Sequence, residues 1–274
     1  MKLATIRHEG QESVAIVDSD AGRAWPLPGR TMLDLIDGGA APAADGPGVP
    51  LDTVTLLAPI PRPRRNIFCV GKNYRDHIAE MRVGSEAPPE YPVIFSKVPQ
   101  TVIAGGSAIR IPTGVSESID YEAELAVVIG TEGRGIKAED AWSHIFGFTI
   151  LNDVTARDLQ RRHTQWLIGK SLDSFCPMGP WIVTTDAIDA RSLDIALWVN
   201  GEQRQKANTS ELIFDIPTII ATLSAGITLY PGDIIATGTP SGVGAGFKPP
   251  RFLKAGDEVA IEIEGIGRLV NPVA

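Results

Sequence analysis

A β-rich α+β fold with a small N-terminal domain is what this chain predicts, and three observations predict it. Runs of alternating or β-branched apolar residues outnumber helix-like runs. Glycine and proline are frequent, 28 and 21 of 274 residues, and fall between those runs as turn punctuation, a pattern that favours a mixed β-roll or barrel with few helices. A Gly-, Ala- and Pro-rich stretch over residues 37–50 and a Pro-punctuated one over 59–63 set off a short leading segment. We therefore divide the chain into a small domain over residues 1–60 and a main domain over 61–274. With 43% hydrophobic residues it can bury a sizeable core.

The elements follow in order. Residues 1–36 hold short alternating segments such as Ser13-Val14-Ala15-Ile16-Val17, and residues 37–50 read as a flexible connector. Arg62-Pro63-Arg64-Arg65 is short and Pro-broken, which reads as a solvated linker. Asn66-Ile67-Phe68-Cys69-Val70 is strand-like, and a short helix is expected around His77 before the Pro-rich residues 87–92. Asp120 to Ile129 reads as one strand, and so does Ile145 to Asn152, which stops where Thr155 to Gln160 turns helical. A helix starts at Pro217, with Asp215 just upstream and Gly226 at its end, matching the Pro-first, Gly-last asymmetry. Pro231-Gly232-Asp233 and Ala255-Gly256-Asp257 each turn into a strand, the second returning through Arg268-Leu269-Val270 as a hairpin about Glu264-Gly265.

A formal charge of −8 with no Lys/Arg block argues against nucleic acid or an anionic membrane as the main partner. The two cysteines, Cys69 and Cys176, lie in apolar surroundings, so two buried thiols in a reducing compartment are expected in place of a disulfide framework. Met1 to His8 lacks the apolar core of a signal peptide, and no run of about 18 apolar residues occurs. A cytoplasmic protein is expected.

The chemistry centres on acids. Along a strand Asp120, Glu122 and Glu124 share one face, roughly 7 Å apart per two-residue step. At an effective dielectric of about 20, neighbouring pairs repel by roughly 2 kcal/mol, so a shared proton, a basic partner or a divalent cation should neutralise them. Asp153, where a strand gives way to a helix, is a further ligand candidate, and an N-cap role accounts for its position equally well. Hard oxygen donors without His or Cys favour Mg²⁺, Mn²⁺ or Ca²⁺ over Zn²⁺.

Other segments carry weaker signals. His77 and Glu80, at i and i+3 of the short helix, can hydrogen-bond as a general-base pair or can be incidental residues of a solvated helix. Lys170 can stabilise an oxyanion or can be an ordinary surface lysine. Arg157 and Gln160 can grip a substrate carboxylate and carbonyl, or stand exposed on their helix. Gly238-Thr239-Pro240-Ser241-Gly242-Val243-Gly244 follows a strand, but no Gly-Lys-Ser/Thr ending and no helix follow, which excludes P-loop and Rossmann readings and leaves a loop whose N–H groups bind a carboxylate.

Together these segments resemble the fumarylacetoacetate hydrolase family over residues 64 to 273. Gly71 to Glu80 looks like its lid motif, Asp120 to Val128 and Asn152 to Gln160 like its metal-binding segments, Gly169 to Pro180 like the stretch with the active-site lysine, and Asp233 to Gly244 like its substrate-side glycine loop. The resemblance implies that family's β-rich fold, a homodimer, and a Mg²⁺ or Mn²⁺ site formed by Glu122, Glu124 and Asp153. His77, Glu80 and Lys170 take catalytic roles by the same likeness, Arg157, Gln160 and Thr239 face the substrate, and residues 74–92 form a lid. The N-terminal region is shorter than in the long eukaryotic fumarylacetoacetases. It is more similar to that of compact bacterial acylpyruvate hydrolases, oxaloacetate decarboxylases or tautomerases, and isomerases of aromatic catabolism.

The leading expectation is hydrolysis of a carbon–carbon bond in a 2,4-dioxo acid of acylpyruvate type. In it Glu80 orients His77 to deprotonate water, Lys170 stabilises developing charge and a pyruvate enolate departs. Decarboxylation or keto–enol tautomerisation of oxaloacetate, or isomerisation or decarboxylation of a 2-hydroxy-dienedioate, is the rival with the same metal. A non-catalytic, metal-stabilised binding module is the rival of another class.

Overall fold

The computed structural model describes residues 1–38, 43–81 and 87–274. The chain opens with an antiparallel meander of β1 (Lys2–His8), β2 (Gln11–Asp18) and β3 (Arg23–Leu27), followed by helix α1 (Met32–Gly38) and the short strands β4 (Val49–Pro50) and β5 (Thr55–Leu56). Next come β6 (Ile67–Gly71), α2 (Arg75–Glu80), β7 (Val93–Lys97), β8 (Val102–Ile103), β9 (Ile119–Asp120) and β10 (Ala123–Ile129). The middle of the chain forms β11 (Ile145–Asn152), β12 (Thr155–Ala156), α3 (Arg157–Arg162), α4 (Leu167–Lys170) and β13 (Cys176–Thr184). The remainder supplies β14 (Asp194–Val199), β15 (Glu202–Asn208), α5 (Ile216–Ser224), β16 (Ile234–Ala236), β17 (Glu258–Ile263) and β18 (Gly267–Pro272).

One large mixed sheet runs β4-β3-β2-β1-β13-β11-β10-β16-β6-β7, and the N-terminal meander joins it through β1 on β13. The barrel alternative of the sequence reading is not met. The sheet is open, with β4 and β7 as its end strands, and α4 packs against β7. A second sheet, β15-β14-β17-β18, ends in the expected hairpin, with Ile263 opposite Gly267.

β10 is buried along its whole length, as a strand covered on both faces must be. Its alternation sorts the core: Ala123, Leu125, Val127 and Ile129 pack into one apolar cluster, while Ala126 and Val128 pack into another with Cys69 and Cys176. Glu124 shares the face of Ala126 and Val128, so its carboxylate stands at the edge of an apolar layer. α5 carries the expected N-cap, Asp215 accepting from Thr218 N–H at 2.9 Å.

Three expectations change. Asp120 to Ile129 is not one strand: β9 pairs with β12, and Tyr121 and Glu122 lie between β9 and β10. Arg62 to Arg65 is not a solvated linker, since Arg64 pairs with Asp37 of α1 and Arg65 with Asp233 before β16. The connector over 37–50 begins as the end of α1 and ends as β4, with residues 39–42 outside the described ones. Residues 82–86 of the expected lid also lie outside them.

Strand directions then assemble a site at one end of the sheet. β6 and β16 run parallel, Cys69 opposite Ala236, and both finish there. β10 runs antiparallel to β16 and β11, so its first residues meet the last residues of its neighbours, Ala123 opposite Asn152.

Candidate active site

Glu122, Glu124 and Asp153 converge where these strand ends meet, each offering an oxygen within 4.8 Å of the others, and all three are buried. Asp153 N–H donates to the Glu122 carbonyl at 2.9 Å, and Glu122 N–H donates to Asn152 Oδ1 at 3.0 Å, which locks the two segments together. Glu124 accepts from Gly238 N–H at 2.8 Å, at the end of β16. Asp120 turns away from this trio. It accepts from Arg157 Nε at 2.8 Å and from Gly244 and Ala245 N–H at 2.6 and 3.0 Å, because the break after β9 rotates it off the common face.

Three cations answer these four acids. Lys170 Nζ donates to Glu122 Oε2 at 2.8 Å and Asp153 Oδ2 at 2.6 Å. Lys97, fully buried, donates to Asp153 Oδ1 at 2.7 Å and to the carbonyls of Val154 and Lys170, which uses all three of its protons. Arg157 holds Asp120 and places Nη2 2.7 Å from Glu122 Oε1 as an ion pair whose N–H is not aligned for a hydrogen bond. Arg157 Nη1 also donates to Gln160 Oε1 at 3.1 Å.

One negative charge is left over, and it falls on Glu124. Burial, then the charges of Asp153 and Glu122, push its carboxyl well above the usual range. Glu122 goes the other way: burial opposes its charge, but Lys170, Arg157 and His77 outweigh it and hold its carboxyl at about 2. Burial likewise opposes the Lys170 ammonium, yet Asp153 and Glu122 raise its pKa, so Lys170 is a fixed cation and not a base. A hard dication fits this donor set: three buried carboxylates, oxygen donors only, and a carboxylate with a single N–H partner and no cation of its own.

The cavity beside the trio has a volume of about 410 Å³ and is lined by Glu122, Glu124, His77, Arg157, Lys170 and Thr239 among others. His77 Nδ1 lies 2.8 Å from Glu80 Oε1, and Glu80 Oε2 accepts from Gly242 N–H at 2.7 Å. The glycine loop therefore binds carboxylates, but they are the chain's own: Glu80 at Gly242, and Asp120 at Gly244 and Ala245. In the tautomer that presents Nδ1–H to Glu80, Nε2 keeps its lone pair.

Of the residues singled out in the sequence, Asp120 turns away and the other nine lie in or beside this cavity, Asp153 and Glu80 reaching it through their partners. Lys97, Lys72, Asn73, Trp166 and Gln205 were not singled out. Lys97 and Gln205 sit in strands of mixed polarity where an exposed side chain is the ordinary reading, and nothing local marks them as buried. Asn73 ties the start of α2 to β16 through the carbonyls of Phe214 and Thr237 at 3.0 and 2.8 Å. Trp166 packs edge-on to Phe95 at 5.2 Å and walls the cavity over Gly71, where a Cβ would come within 2.5 Å of its ring.

Comparison with known proteins agrees with this geometry. Residues 66–274 match the family model described as fumarylacetoacetate (FAA) hydrolase, C-terminal, and residues 1–59 match one described as Rv2993c-like, N-terminal. The oxaloacetate tautomerase YisK of Bacillus subtilis (strain 168) is 55% identical over 225 residues, 81% of this chain and 74% of that protein. Among solved structures, the fumarylacetoacetate hydrolase of psychrophilic Exiguobacterium antarcticum superposes with a TM-score of 0.89 at 42% identity, covering 100% of this chain and 99% of that one. The 5-carboxymethyl-2-hydroxymuconate delta-isomerase of Mycobacterium smegmatis gives 0.83 at 38% identity, covering 100% and 98%. With the acid trio, the His-Glu pair and the buried lysine in one cavity, and a family model matched from residue 66 to the last residue, the chain belongs to the fumarylacetoacetate hydrolase family.

Proposed function

We propose that the chain is a divalent-metal-dependent keto–enol tautomerase acting on a 2-oxo dicarboxylic acid of the oxaloacetate type. The observation that carries this reading is the placing of the His77–Glu80 pair, Lys170 and Arg157 around a buried acid trio in a single cavity. Relatives named as an oxaloacetate tautomerase and a muconate delta-isomerase move protons without cleaving a carbon–carbon bond, which favours isomerisation over the acylpyruvate hydrolysis expected from the sequence.

Glu122, Glu124 and Asp153 would hold Mg²⁺ or Mn²⁺, and such an ion, when bound, supplies Lewis-acid stabilisation of an enolate oxygen. The chain's own residues do the rest. Lys170 adds a permanent positive charge beside that oxygen. Arg157, held by Asp120 and Glu122 and lining the cavity, is the guanidinium that would face a substrate carboxylate, with Gln160 steadying it. His77 Nε2 accepts the proton leaving the enol oxygen and returns one to C3, so protons balance and no water is consumed. Lys72 and Arg161 give the cavity wall the positive charge a second carboxylate needs. Within the expected lid, the described residues 74–81 hold His77 and Glu80 at the cavity. A homodimer accounts for the exposed apolar side chains Tyr91, Ile94, Leu167 and Ile168 on β7, α4 and the segment before β7.

The test is a substrate panel in Mg²⁺ or Mn²⁺. Decay of enol-oxaloacetate to the keto form should accelerate, with little CO₂ release and little cleavage of acetylpyruvate. Fast acetylpyruvate cleavage with unaltered enol decay would return the reading to a hydrolase.

A further inference from the structure

Gln205 makes no contact with the cavity, yet its amide determines what the cavity's Thr239 can do. Residue pairing along β14 and β15 slips at one point: Leu197 faces Gln205 while Trp198 faces Gln203, so Arg204 is an extra, bulged residue. The bulge turns Gln205 inward, to 1% exposure within a strand whose other side chains are exposed or half-buried. There its amide is saturated. Oε1 accepts from Ala123 N–H at 2.9 Å, and Nε2 donates to the Pro240 carbonyl at 2.7 Å and to Thr239 Oγ1 at 2.8 Å.

The amide has only one workable orientation. Ala123 N–H can only donate and the Pro240 carbonyl can only accept, so a flipped amide would set N–H against N–H and oxygen against oxygen. Thr239 Oγ1 must therefore accept, and its own O–H must find an acceptor elsewhere. Among the described residues it donates to none, and Thr239 lines the cavity next to Gly238, whose N–H holds Glu124.

We propose that Gln205 is a positioning residue: by occupying the Thr239 oxygen it commits the Thr239 O–H to donate to the carboxylate or 2-oxo oxygen of the bound 2-oxo acid, beside the acid trio. The proposal rests on the cavity being the substrate site, not on which reaction follows. Glu at position 205 would accept the Thr239 proton and reverse the hydroxyl, and Met would leave it free to rotate.

A double-mutant cycle on the Mn²⁺-loaded full chain tests this, with oxalate as the probe, its dissociation constant measured by calorimetry, and melting temperature followed in parallel. A hydrogen bond to a charged group corresponds to about a 10- to 100-fold change in affinity. Q205E and T239V should each weaken oxalate binding by about that factor, Q205M by less, and T239S hardly at all. Q205E or Q205M added to T239V should cost nothing more. In turnover, Gln205 variants should raise KM more than they lower kcat. Equal losses from Gln205 substitution with Thr239 or with Val at position 239 would assign Gln205 a purely structural role and overturn the proposal. So would unaltered oxalate binding in Q205M, the variant that keeps side-chain volume should Q205E not fold. Because oxalate binding is read without turnover, an inactive wild type that still shows the cycle would reject the tautomerase reading alone.

Discussion

At the scale of single residues, the site works by dividing labour among groups that differ in how freely they can exchange a proton. Lys170 and Lys97 are pinned by carboxylates and carbonyls, and those carboxylates hold Lys170 charged. Glu122 stays ionised because Lys170 and Arg157 overcome its burial. His77 has one ring nitrogen committed to Glu80 and the other unassigned, the arrangement the proposed proton transfer needs. Replacing His77 with Ala should therefore lower turnover of enol-oxaloacetate by ~10²- to 10⁴-fold while leaving the oxalate dissociation constant within a few-fold of wild type. Full turnover in that variant would remove His77 from the reaction.

At the scale of elements, the glycine-rich loop after β16 is a clamp for internal carboxylates. Gly242 and Gly244 donate to Glu80 and Asp120, and neighbouring glycines leave room for those side chains. A Cβ at Gly246 would stand 2.5 Å from Glu80 Oε2. Since Glu80 is the flexible end of a side chain, the G246A variant should fold with a melting temperature close to wild type while displacing Glu80 and misaligning His77. A misplacement of about 1 Å costs roughly 100-fold in rate, so turnover should fall by up to that factor. Unchanged kinetics in G246A would show that Glu80 does not need its present seat.

At the scale of the whole molecule, a dication held by the acid trio would couple its binding to stability. In the metal-free protein the Glu124 pKa is raised above its unfolded value. Folding there takes up a proton as pH rises past the unfolded pKa, so ionisation of Glu124 progressively destabilises the fold over that window. A dication relieves this and displaces the proton. Mn²⁺ should then raise the melting temperature more at pH 8 than at pH 6, and calorimetry in buffers of different ionisation enthalpy should register proton release. The E124Q variant should melt higher than metal-free wild type, by roughly 2–4 °C for each kcal/mol of relieved repulsion, and should gain nothing from Mn²⁺. A Mn²⁺ effect independent of pH, or retained in E124Q, would contradict the assignment. For Glu122 the sign is opposite: its lowered pKa stabilises the fold above the unfolded value, a contribution lost only as pH falls towards about 2.

Local pattern was enough for much of this. The strand before residue 71, the strand that ends at Asn152, the cap at Asp215 and the hairpin about Glu264 follow from periodicity and turn chemistry, which are properties of neighbours in sequence, while the candidate residues from His77 to Thr239 come from the family resemblance. What neighbours cannot encode is who comes from far away. That Asp120 leaves the trio for Arg157, that Lys97 crosses from β7 to brace Asp153 and Lys170, and that Gln205 reaches from the second sheet to aim Thr239 depend on strand order and one β-bulge. Only tertiary structure decides these, because a buried charge or amide takes its role from the partners packed against it, and those partners stand 37 to 73 residues away for Arg157 and Lys97.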